Sequence, residues 1–184
     1  ALGSVMTMPP SAGANVVGSD AQNFNPTTNG LDFVTVQSAE VLTPGIFNLG
    51  LFANYAVNSL PVQDDGEDQF KVTDSLLMID MNVGLGLWHN WDVGLSYPRL
   101  LRQAIDTKDS RGQFEATGNT EIRLNTKYRF LNYSSWGAAL VLSVNVNRIE
   151  NNPYVGEDAG PTINTELAFS GQAYDYAWGF NVGY

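Results

Sequence analysis

Between Leu31 and Tyr184, apolar and polar residues alternate in run after run, the two-residue period of a β-strand. The clearest run is 75–88. Leu77, Ile79, Met81, Val83, Leu85 and Leu87 fall on one face, and Asp80, Asn82, Gly84 and Gly86 on the other. Around it the pattern predicts a first strand near Phe33–Leu42, where alternation is poor, and a second near Phe47–Ser59, with Phe47, Leu49, Leu51, Ala53, Tyr55 and Val57 on one face. After the 71–88 strand, a fourth sets Trp91, Val93, Leu95 and Tyr97 against Asp92, Gly94 and Ser96. A fifth sets Ile122, Leu124, Thr126, Tyr128 and Phe130 against Glu121, Arg123, Asn125, Lys127 and Arg129, so that one face is wholly polar or charged. The sixth to eighth start near Trp136, Ile163 and Tyr176 and keep the same rhythm.

Strands of about ten residues with one oily face can cross a bilayer. The connections support that reading. Thr43–Gly45, His89-Asn90, Asn132–Ser135 and Tyr174-Asp175 are short turns, whereas the links near 61–70, 102–117 and 150–161 are long and polar. Short turns on one rim and long loops on the other is the construction of bacterial outer-membrane barrels. Aromatic residues collect beside the short turns, and Trp88, Trp91, Tyr128, Phe130, Trp136, Tyr176 and Trp178 are the expected lipid-facing girdle at headgroup depth. Tyr55, Tyr97 and Tyr154 are candidates for a thinner second girdle. A β-sandwich with a soluble aromatic core is the competing architecture, but it gives no reason to sort aromatics by rim. The predicted fold is therefore all-β, an antiparallel transmembrane β-barrel of about eight strands over 31–184, preceded by an irregular Gly-, Pro- and Asn-rich arm over 1–30.

Composition narrows the function. Mean hydropathy is −0.14, and no apolar run is long enough for a transmembrane helix, although a barrel wall needs none. The absence of cysteine excludes disulfide scaffolds, thiolate metal sites and cysteine nucleophiles. A net charge of −10 argues against nucleic acid as a partner. The chain begins at Ala1 without a basic-apolar leader and is read as a mature or trimmed form. Alternating rims also create a topological mismatch. Eight strands counted from Phe33 begin and end on the long-loop side, whereas single-chain barrels keep both termini on the short-turn side. The arm, further strands or neighbouring copies in a homo-oligomer would have to resolve it, because an open edge in lipid leaves costly unpaired backbone.

The stretches GSDAQNFNPTTNGLDFVTVQSAEVLTPGIFNLGLFANYAVNSLP, DSLLMIDMNVGLGLWHNWDVGLSYP, GNTEIRLNTKYRFL and the terminal AWGFNVGY resemble the barrel of a branch of OmpA-family outer-membrane proteins. The resemblance implies a bacterial outer-membrane location and further strands after Tyr184, which would make this the N-terminal portion of a larger barrel. It also implies a following peptidoglycan-binding domain, to which no residue here corresponds.

The candidate functional surface is the inward polar face, with Asp80, Asp92, Glu121, Arg123, Lys127, Arg129 and Glu166 expected to face the lumen. An ion-tuning constriction is one reading. A salt-bridged plug is preferred, because about eight strands leave an interior just filled by side chains. The acidic link Asp64, Asp65, Glu67 and Asp68 lacks the spacing of a Ca²⁺ loop and reads as a solvated loop, with divalent ions bridging lipopolysaccharide as the alternative. His89 lies in a short turn with only Asp92 nearby in sequence and reads as a turn residue. Glycines 50, 84, 86, 94, 179 and 183 read as positions for curvature and close packing. No catalytic set, metal site or cofactor loop is discernible. The expected function is structural and non-enzymatic, with membrane lipid as partner. A passive porin and a surface-adhesion module acting through the long loops are the alternatives.

Overall fold

A computed structural model describes residues 24–57, 63–64, 69–70, 73–106, 117–147 and 161–184. Its strands are β1 (Phe47–Val57), β2 (Gln63–Asp64), β3 (Gln69–Phe70), β4 (Thr73–Trp88), β5 (Trp91–Asp106), β6 (Gly118–Asn119), β7 (Glu121–Asn132), β8 (Trp136–Asn147), β9 (Thr162–Ala173) and β10 (Tyr176–Gly183). The main sheet has the order β1-β4-β5-β7-β8-β9-β10, with β6 continuing beside β5, while β2 and β3 pair separately. Every ladder is antiparallel. The sheet curls into a half-barrel, open between β1 and β10.

The alternation read from the sequence explains the curl's two faces. On β4, Asp80, Asn82, Gly84 and Gly86 are buried on the concave side, while Met81, Val83 and Leu85 are exposed on the convex side. On β8, Ser143 and Asn145 point in, and Leu142, Val144 and Val146 point out. The convex face is thus apolar across all seven long strands. Leu49 and Leu51 on edge strand β1 are 69% and 71% exposed, against 43% and 41% for Met81 and Val83 on β4. The difference reflects a neighbour on one side only.

Hairpin turns at 89–90, 133–135 and 174–175 gather on one rim. Tyr174 takes a left-handed φ of 55° in the last of them, the region that two-residue hairpin turns demand. Links 107–116 and 148–160 lie outside the described residues, as do Asp65, Glu67 and Asp68 of the acidic link and Tyr154. β5 continues to Asp106, further than the alternation alone marks it, and its Pro98 is accommodated opposite Asp80.

One expected element is absent. The segment Phe33–Leu42 is not a strand, so seven long strands form the wall rather than eight. Its poor alternation gives no consistent oily face to place on a sheet. Instead, residues 24–46 run irregularly through the concave trough and turn at Thr43–Gly45 into β1, with Gly45 at a φ of 77°. This correction also changes the topology. β1 starts at the short-turn rim, so the chain enters the wall from the side that barrels use for short connections.

Candidate functional site

The trough is the site on which the polar side chains converge. At its far end from the short turns, on the β4–β5 side, Leu76, Met78 and Leu100 are buried as an apolar cluster. The wall there also presents Phe52, the one aromatic on the inward side of β1, which meets Phe24 edge-on at a ring separation of 6.1 Å. Towards the short-turn rim the trough becomes polar, and the inner segment is held there almost entirely by side chains.

Lys127 is the centre of that region. Its Nζ donates to both oxygens of Asp32 (2.7 and 2.9 Å) and to the Glu40 carbonyl (3.3 Å). Both side chains of the ion pair are shielded from solvent, at 1% and 0% exposure. Asp32 also accepts from the Ser38 backbone N–H and hydroxyl, each at 2.7 Å, and so folds its own turn around the lysine. Arg129 pairs with Glu40 at 3.0 Å, a contact open to water on the glutamate side. Asp92 accepts from the Leu42 N–H (3.0 Å) and the Asn29 side chain (3.3 Å).

Further along, Arg123 donates to the Pro26 carbonyl, Asn82 to the Thr27 carbonyl, and Asn48 to the Thr28 carbonyl. Thr28 donates to Asn125 at 3.0 Å, and the Ala39 N–H donates to Ser170 at 2.8 Å. Glycines on the wall make room for this. A Cβ on Gly84 would lie 2.6 Å from the Thr28 carbonyl oxygen, one on Gly94 would collide with the Thr28 side chain, and one on Gly86 with the Thr43 carbonyl. The inner segment therefore sits in notches that only glycine leaves open.

The sequence-derived lumen set divides in two. Asp92, Lys127 and Arg129 grip the inner segment at the short-turn half. Asp80, which accepts from the Ser96 hydroxyl at 2.9 Å, lies with Arg123, Glu121 and Glu166 nearer the other end, within reach of one another's charge. Glu166 accepts from Asn181 at 3.2 Å. Sequence reasoning missed the partners on the inner segment: Pro26, Thr28, Asn29, Asp32 and Glu40. Two signals pointed to them. Cations on the inward face of β7 outnumber the acids beside them on that strand after Glu121, and Phe52 interrupts an otherwise small or polar face.

The girdle candidates stand near the short turns. Trp88 and Trp91 are 5.3 Å apart, Trp91 meets Tyr128 edge-on at 6.3 Å, and Tyr133 lies 5.0 Å from Trp136, all beside the short turns. Trp88, Tyr128, Phe130, Trp136, Tyr176 and Trp178 are all exposed on that rim. The backbone carbonyl of His89 accepts from Arg129 at 3.3 Å, consistent with a turn residue. Beside the inner segment, on the β8–β10 side, a cleft of about 350 Å³ remains, lined by Phe33, Glu40, Trp136, Ser170, Gln172 and Trp178 among others. Among the described residues no group of His, Cys, Asp and Glu could hold a metal ion.

The fold so defined is an all-β, barrel-like half-shell with a polar filled interior and an apolar exterior. Comparison of the chain with protein-family models, curated proteins and solved structures finds no match.

Proposed function

We propose that this chain is the wall of a transmembrane β-barrel in a bacterial outer membrane, with a structural, non-enzymatic role of the kind the OmpA-family resemblance implies. The observation that carries this reading is the convex face, where Leu, Val, Ile, Met and aromatic side chains stand exposed on all seven long strands. Monomeric soluble proteins rarely expose contiguous apolar patches beyond a few hundred Å². Hydrocarbon tails are the partner such a face fits, and the aromatic rim matches an interfacial belt.

The reading carries a geometric requirement. β1 and β10 are both edges, and both run from the short-turn rim to the other. They cannot pair with each other antiparallel. In lipid both edges need partners, and an odd number of added strands satisfies them with an antiparallel seam on each side.

The occupied trough supports a sealed structural wall over a passive porin, because four of the charged residues that would line a pore, Asp92, Arg123, Lys127 and Arg129, are already bonded to residues 26–42. Co-flotation with phospholipid vesicles tests the reading. The folded chain is expected to rise with the vesicles and to resist extraction by high salt and alkali. A chain that stays folded at the bottom of the gradient, in buffer without amphiphile, contradicts it.

A further inference from the structure

We propose that residues 24–42 are a detachable stopper for the trough, latched by the Lys127–Asp32 ion pair, so that the wall is a channel held shut by its own inner segment. The inference deepens the barrel reading and rests on it for the meaning of the trough as a lumen.

The mode of attachment carries the argument. The wall's strands are joined by continuous main-chain ladders. The inner segment shares no such ladder. Among the described residues, its main-chain bonds to the wall are those of Gly45 and Ile46 with Gly86, at the handover into β1. Upstream of that point, wall side chains reach its backbone or side chains: Arg123, Asn82, Asn48, Asn125, Asp92, Lys127 and Ser170. A ladder resists removal as a unit, whereas a segment held by side chains can open locally while the strand pairing stays intact. On release the trough side chains near the short-turn rim are polar and accept water readily.

The dominant tether is identifiable. Lys127–Asp32 is the ion pair with both partners shielded, and Asp32 simultaneously holds Ser38. Removing Lys127 leaves the Asp32 carboxylate buried without a cation, removing Asp32 leaves Lys127 with the Glu40 carbonyl and the charge of Asp92 alone, and either change loosens the turn around the pair. Arg129–Glu40 is half in water and contributes less.

The chain contains no cysteine, so introduced thiols are unique reporters. Thr28→Cys and Ala39→Cys, at 2% and 1% exposure, report on the two ends of the stopper. Each is reconstituted in phosphatidylcholine vesicles and labelled with a water-soluble maleimide. Asp32→Asn or Lys127→Met is expected to accelerate labelling at both positions by about two to three orders of magnitude, with the β-sheet circular dichroism unchanged.

Unchanged rates in a folded protein overturn the latch. Acceleration at Ala39→Cys alone overturns the stopper in favour of local fraying. Should the neutralised variants fail to fold, the parent reporters are labelled across a urea series. Exposure well before the β-sheet transition supports the stopper, and exposure within that transition overturns it. Failure to float with vesicles defeats the lipid-facing reading and the stopper with it. Flotation with unchanged labelling defeats the stopper alone.

Discussion

The convex wall and the inner segment are built on opposite principles. The wall takes its order from main-chain ladders and repeats a two-residue rhythm. Any residue on it has its face assigned by parity, as Met81 and Asn82 on β4 illustrate. The inner segment has no period. Its residues are placed where particular side chains of the wall reach them, as Asp32 is by Lys127 and Leu42 by Asp92. Consequently the wall tolerates change as long as polarity is kept, while the inner segment depends on a few named contacts.

Four substitutions sharpen that contrast. Lys127→Met leaves the Asp32 carboxylate buried and unpaired, and is expected to cost about 3–5 kcal/mol of inner-segment docking. Urea titration in detergent micelles, read by a thiol on the segment, measures it. Leu142→Arg places a charge at the middle of the convex face of β8. It is expected to cost about 2–4 kcal/mol if that face meets hydrocarbon. Unfolding from vesicles gives the value, and a loss near zero there would contradict the lipid-facing assignment of β8.

Gly94→Val forces the Thr28 side chain from its notch and is expected to cost about 1–3 kcal/mol by overpacking. The effect should fall on the segment's transition and spare the wall's. Arg129→Ala removes a pair whose glutamate is 59% exposed, and is expected to cost under about 1 kcal/mol. A loss as large as that of Lys127→Met in the same titration would erase the distinction between shielded latch and surface contact.

This contrast also explains what the sequence made legible. The strands at Phe47, Trp91, Glu121, Trp136 and Tyr176, their inward and outward residues, and the short turns at 89–90 and 174–175 follow from local alternation and turn chemistry, which need no knowledge of distant residues. The inward-facing Asp92 and Lys127 were likewise assigned by parity. Their partners were not, because Asp32 and Asn29 lie 95 and 63 residues away along the chain and no local rule links them.

Phe33–Leu42 resembles a strand in its apolar residues, of which Phe33, Val34, Val36 and Val41 also favour β-structure, but its alternation is poor. Propensity without alternation did not fix a face, and the polar trough claimed the segment instead. The apolar end of the trough was also illegible. Leu76 and Met78 share by parity the face that Asp80 and Asn82 mark as polar, and Leu100 joins them just before Leu101, which the β4–β5 register skips.

The central claim is that the convex face meets lipid with its short-turn rim at the headgroups. All four tryptophans, Trp88, Trp91, Trp136 and Trp178, lie on that rim. Quenching of their fluorescence by lipids brominated at different depths along the acyl chain is the most direct measurement. The account predicts the strongest quenching from bromines nearest the headgroup and progressively less towards the bilayer centre. Quenching that peaks at the bilayer centre, or full access to aqueous iodide with no effect of lipid bromine at any depth, would contradict it.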